Sequence, residues 1–138
     1  MAITVSKKLR LKIITPTKTV FDNDVDMVVL NTVDGETGVL IGHEPLTTIL
    51  GLGPMRYYDD EATEFYAVFG GFSEINQEGV TVLADIAEHP SEIDKERARM
   101  AKERAERRLS EKKADLDEMR AKVALRKALV RMELTKNL

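Results

Sequence analysis

All eight glycines and all four prolines of this 138-residue chain fall at or before Pro90, and none follows. Gly and Pro interrupt regular elements and set turns. A long stretch free of both, and rich in strong helix formers, runs as helix. The chain therefore reads as two unlike parts in series: a small all-β domain of sandwich or barrel type over residues 1–88, and an α-helical hairpin over 89–138. A chain of this length fills one ordinary domain, or one small domain with a helical appendage.

Within the punctuated part, Leu9, Leu11 and Ile13 alternate with Arg10 and Lys12, the period of a strand with one wet face. Thr15 to Lys18 supplies a turn, Val25 to Leu30 reads as a second major strand, and Phe65, Ala67 and Phe69 mark a third. Val80 to Leu83 follows a turn at Asn76 to Gly79, and shorter strands are expected over 37–41, 46–50 and 53–58. The run Asp34-Gly35-Glu36-Thr37-Gly38 reads as a turn. It lacks the Lys-Ser/Thr of a phosphate-binding loop, and its two carboxylates repel phosphate.

Charge divides at the same place. Residues 1–90 hold 6 Lys/Arg against 14 Asp/Glu, a balance of −8, and residues 91–138 hold 15 against 10, a balance of +5. An acidic body on a basic arm points to electrostatic contact between the two, or with acidic partners. With no cysteine and only His43 and His89, disulfides, thiolate chemistry and a metal centre are not expected. The acids Asp59, Asp60, Glu61 and Glu64 read as a surface turn rather than a hydrolytic pair, and His43 as a loop hydrogen-bonder, so no catalytic residue is assigned. No stretch reaches the roughly 18 apolar residues of a membrane span, and the opening MAITVSKKLRLKI lacks the apolar run of a secretory leader, so the chain is expected on the cytoplasmic side, with docking on a membrane complex still open to it.

In the helical part, Ser91 is the expected N-cap with Asp94 at the third position, and a break is expected at Ser110 to Ala114 with Asp115 as the next cap. Ala98, Ala101 and Ala105 form a small-residue face. The second helix carries two apolar stripes, one of Leu116, Met119, Val123, Val130 and Leu134, the other of Ala121, Leu125, Ala128 and Met132. One neighbour needs one stripe, so the second implies another surface, such as the β-domain in one state and a partner in another. Arg97, Arg104 and Arg108 share a face of the first helix, and Arg120, Lys127 and Arg131 form a row on the second. Both rows read either as solvated ion-paired faces or as a fork for phosphate or carboxylate. Nucleic acid is disfavoured, because residues 91–138 contain no aromatic to stack on a base.

The segments LRLKIITPTKTVF, VDMVVLNTVDGETGVLIGHEPLTTIL, YAVFGGFSEINQEGVTVLADIAEHPSEID, IDKERARMAKERAERRL and RAKVALRKALVRM, in this order, resemble the epsilon subunits of bacterial F-type ATP synthases, Bacillus-like members included. The resemblance implies an all-β sandwich of ten strands followed by a C-terminal α-helical hairpin, with no active site and no catalytic cofactor. It implies a central-stalk rotor subunit, peripheral at the cytoplasmic face of the cell membrane. Its partners would be the gamma subunit, the c-ring and, with the helices extended, the catalytic α/β subunits, whose ATP hydrolysis the helices restrain.

Some members of that family bind ATP as a regulatory ligand on the folded helices, through a motif Ile/Leu-Asp-x-x-Arg-Ala. Here it reads Ile93-Asp94-Lys95-Glu96-Arg97-Ala98. Carried over by resemblance, Asp94 contacts the nucleotide or orders its pocket, Arg97 is the central ligand, and Arg104 and Arg131 approach phosphate or ribose. Arg126-Lys127 replaces the Lys-Arg of nucleotide-binding relatives, so Lys127 stands where an arginine would bind and lacks its bidentate geometry. Helix-end pairing of Asp94 with Arg97 is the plainer alternative. A stand-alone ATP sensor and a carboxylate enzyme are the competing functional classes; gamma association and absence of ATPase activity separate them from the rotor subunit.

Overall fold

A computed structural model describes residues 7–136; Met1 to Ser6, the opening of the leader reading, lie outside them. Eight strands are seen among the described residues: β1 Leu9–Ile14, β2 Thr19–Val25, β3 Met27–Thr32, β4 Gly35–Val39, β5 Leu46–Ile49, β6 Leu52–Asp59, β7 Ala62–Ile75 and β8 Gly79–Glu88. Two helices follow, α1 Lys95–Glu111 and α2 Glu118–Leu134. The hydrogen-bonded order is β2-β1-β8-β7-β6-β3-β4, with β5 on β7. All pairs are antiparallel except β1 with β8.

The two longest strands serve both layers of the sandwich. The first half of β7 pairs with β6 and its last residues with β5. The start of β8 pairs with β1, and its end pairs only with β7. The crossing is at Gly70 and Gly71, whose φ values of 79° and 103° bend the strand where an L-residue would be strained. Counted by layer, β4, β3, β6 and the halves of β7 and β8 make five strands, and β2, β1, β5 and the other halves make five. Eight strands are thus seen among the described residues rather than the ten that the resemblance implies, because β7 and β8 each run unbroken through both layers.

Between the layers lies a core that includes Leu9, Leu11, Ile13, Val28, Leu30 and Val82, all fully buried. The alternation of β1 is as expected, with Leu9, Leu11 and Ile13 inward. One reading needs correction. The segment Val25 to Leu30 is not one strand: Asp26 interrupts it, and β2 precedes it, its polar TVFDND stretch lying on a sheet edge where Arg10 pairs with Asp22 and Asp24. In β7 the inward residues are Tyr66 and Val68; Ala67 and Phe69 face the helices and are buried there with Val130.

The helix starts also shift. Pro90–Glu92 forms a 3-10 turn capped by His89, and Asp94 is the N-cap of α1, its carboxylate accepting the Arg97 N–H at 3.1 Å. Asp117 rather than Asp115 caps α2, accepting the Arg120 N–H at 3.1 Å. Between them α1 ends on Lys112 in the left-handed conformation, φ 46°. The hairpin is folded against the sheet with α2 in the middle. Val130 and Leu134 pack on Phe69, Ala67, Leu52 and Ile86. Ala98 and Ala105 of α1 and Ala121 and Ala128 of α2 are buried, small residues that let the two helices lie close. Residues of both stripes of α2 are therefore buried in one conformation, because a middle layer needs two faces, with Met119 of the first stripe left exposed; the expectation of one stripe per state is revised.

Candidate functional site

The end of β8, the start of α1 and the last turns of α2 converge on a groove of about 370 Å³. Asp94, Arg97, Arg104 and Arg131, brought together by the sequence reading, all line it, with Glu88, the last residue of β8, opposite. Ala98 and Ala101 form part of its wall, where larger side chains would fill the space.

The arginines are held differently. Arg131 forms a two-pronged pair with Glu88, Nε donating to Oε1 at 2.8 Å and Nη2 to Oε2 at 3.2 Å, and its guanidinium lies 4.9 Å from the Phe69 ring centroid. Half-buried and pinned on two sides, it is pre-positioned. Arg97 and Arg104 have no carboxylate within ion-pairing distance among the described residues. Asp94 is occupied with the Arg97 backbone N–H, so the alternative reading of a side-chain pair between Asp94 and Arg97 becomes a helix cap. The solvated-face reading does describe the outer side of α1, where Arg99 bonds both Glu96 and Glu103 and Lys102 lies 3.8 Å from Glu106. Arg99 holds the Glu96 carboxyl below its ordinary pKa.

Lys127 does not line the groove. Its ammonium stands 5.9 Å from the Phe69 ring centroid, on the side of α2 that faces the sheet. Three residues have contacts here that the sequence does not predict. Glu88 and Glu92 line the groove, and Arg126 donates from Nε to the Leu52 carbonyl at 3.0 Å. Glu88 was in principle visible, as an acid just before the His89-Pro90 junction and the basic helices. Arg126 was not, because its acceptor is a backbone atom on another element.

On the β-domain, Ile49 and Phe72 are cross-strand partners, and Ile49 accepts the Val33 N–H at 3.0 Å. All three are exposed, Val33 and Ile49 at 61% and 62%, and together they make an apolar patch on the β5 edge. The acids Asp26, Asp59 and Asp60 cluster around the ammonium of Lys8, raising its pKa chiefly through the hydrogen bond to Asp59. His43 bonds the Glu44 carbonyl at 2.6 Å, as a loop residue.

Two family models account for nearly all of the described chain: residues 8–90 match the ATP synthase delta/epsilon chain beta-sandwich domain, and residues 91–136 match the delta/epsilon chain long alpha-helix domain. The ATP synthase epsilon chain of Halalkalibacterium halodurans is 45% identical over 127 residues, covering 91% of this chain and 96% of the relative. The chain belongs to the family of bacterial F-type ATP synthase epsilon chains. The epsilon chain of Bacillus licheniformis is 42% identical over 130 residues, covering 94% of this chain and 99% of the relative. In fold it is similar to a chain in the OSCP/F1/c-ring structure of Euglena gracilis mitochondrial ATP synthase, with a TM-score of 0.79 at 22% identity, covering 91% of this chain and 80% of that one. Epsilon chains are non-catalytic subunits, so the groove beside Arg97 belongs to no active site. No helix among the described residues is long and apolar enough to cross a membrane.

Proposed function

We propose that this chain is the epsilon subunit of a bacterial ATP synthase central stalk, linking F1 to the c-ring, and that its hairpin is a regulator set by ATP. The division of labour follows the change at Pro90. Residues 1–88 attach to the gamma subunit and c-ring, and residues 89–138 respond to nucleotide. As part of that complex the chain is peripheral, at the cytoplasmic face of the cell membrane. The apolar patch of Val33, Ile49 and Phe72 suits attachment, since three exposed apolar side chains gathered around the end of β5 are costly unless a partner covers them.

The observation that carries the regulatory reading is the meeting of Arg97, Arg104, Arg131 and Asp94 in one groove that depends on both helices being folded down. Three guanidiniums from two helices clamp a polyphosphate by charge-assisted hydrogen bonds. A ligand that binds only the folded arrangement stabilises it by mass action. With ATP absent, the hairpin is free to extend along gamma toward the α/β subunits. There its basic rows would pair with acidic surface and restrain hydrolysis. Lys127 is directed to Phe69, so the phosphate clamp rests on the arginines.

Isothermal titration of the full chain with ATP is expected to show saturable one-to-one binding that Arg97→Ala abolishes. No heat, together with no ATP-dependent chemical-shift change up to millimolar concentration, would remove the nucleotide from the proposal. Unchanged ATP hydrolysis by a complex whose epsilon chain ends at residue 90 would remove the inhibitory role.

A further inference from the structure

A second, larger groove lies at the other end of the hairpin, where α1 gives way to α2. Its volume is about 790 Å³, and Arg104, Arg107, Arg108, Lys113 and Arg120 line it. The acids of its lining are mostly committed. Glu111 lies 3.6 Å from Lys113, and Asp117 is the α2 cap, leaving Asp115. None of the four arginines has a carboxylate within ion-pairing distance among the described residues, while Arg99, on the outer face of the same helix, has two. Ion pairing is thus available to arginines of α1 and is withheld from those facing this groove. Set against the carboxylates of Asp115 and the capping Asp117, the four guanidiniums leave the groove with an excess of positive charge, and a bound polyanion is attracted to that excess.

We infer that this groove is a second anion site, for inorganic pyrophosphate or a similar compact polyphosphate, recognised by Arg108 from α1 and Arg120 from α2 with Arg104 and Arg107 beside them. The guanidinium fork suits adjacent phosphoryl groups. The lining offers no aromatic ring, and its only apolar members are Leu116 and Ala121, so nothing is built to hold a base. That favours the inorganic ion over a nucleotide. The two helix ends that supply the donors are joined by only the short segment 112–117, and an anion between them clips the bent hairpin shut. The inference stands apart from the ATP groove, which shares Arg104 but not Arg107, Arg108 or Arg120.

The test is titration of the full chain with sodium pyrophosphate, read by calorimetry and by backbone chemical shifts at about 0.15 M salt, where loosely held surface ions are screened. Binding is expected to shift residues 104–121, to persist in Arg97→Ala, and to weaken at least tenfold in the double variant R108A/R120A. The exposed arginines leave the fold intact, and R108K/R120K, which keeps the charge, is expected to weaken binding at least threefold. ATP added to Arg97→Ala separates the two sources of polyphosphate. Binding weaker than that of pyrophosphate supports the inorganic ion, and tighter binding overturns that assignment. Pyrophosphate binding lost in Arg97→Ala but kept in R108A/R120A, or no binding at millimolar concentration, overturns the site.

Discussion

Gly71 holds φ at 103° in the middle of the longest strand, and a Cβ built on it would lie 2.1 Å from the Leu83 carbonyl oxygen. Both strain and overlap oppose any side chain there. Gly71→Ala is expected to cost upwards of about 3 kcal/mol in urea unfolding, a value reserved for named backbone or packing faults. A change under 1 kcal/mol would mean that the bend does not carry β7 from one layer to the other. Tyr57 gives a second residue-scale test. Burial first, then the nearby Tyr66, Glu64 and Asp59, push its phenol up to about 12, while its ring packs 4.8 Å from that of Phe21. A raised phenol pKa means the fold prefers the neutral form. Its stabilising share is whole below the unfolded pKa of about 10 and is lost as pH rises toward 12. Absorbance titration of the folded chain should show a tyrosine ionising near 12 that is absent in Tyr57→Phe, and the variant's stability should fall less between pH 10 and 12. The paired glycines could be read from the sequence as punctuation. That they mark a bend inside one strand could not, because it depends on Leu83 in the neighbouring strand.

At the scale of elements, what was legible follows from whether a signal is local. The alternation of β1, the turns at Thr15–Lys18 and Asn76–Gly79, and the helical run after Pro90 each repeat within a few residues, and each is found. β2 was missed because only Val25 of its seven residues is buried, and its carboxylates are balanced by Arg10 across the pair. The caps moved because a 3-10 turn after His89 consumes Ser91 before α1 begins, leaving Asp94 as its cap, and because Asp115 and Asp117 compete at the start of α2. Asp117→Ala should therefore lower stability by about 1 kcal/mol, the usual worth of an N-cap, with a loss of helical circular dichroism, while Asp115→Ala changes little. Equal effects of the two would return the cap to the sequence-based choice. Arg97 and Arg104 were legible as members of one helix face, while joining them with Asp94 and Arg131 rested on the resemblance to the epsilon subunits. Glu88 entered only when the fold set the end of β8 against Arg131.

For the molecule as a whole, the sandwich core draws no residue from the helices, and the hairpin docks through Val130, Leu134, Ile93, the Arg131–Glu88 pair and the Arg126 bond to Leu52. The docked surface is one small cluster, Ala67, Phe69 and Val130 with Leu52, Ile86, Ile93 and Leu134 partly buried beside it, and one partly exposed ion pair. That cluster is small beside the core between the two layers, so the hairpin is expected to release before the β-domain unfolds. Met100, Met119 and Leu129 remain exposed on the folded hairpin, at 51%, 70% and 40%, apolar surface that an extended arrangement could bury on another chain. Val130→Asp places a charge against Phe69 and Ala67 and should undock the helices. Hydrogen exchange of α1 and α2 should then speed toward unprotected rates while the amides of β7 and β8 keep their protection. If protection falls equally in both, hairpin and sandwich form one cooperative unit, and a regulator that moves on a fixed β-domain is the wrong description of this chain.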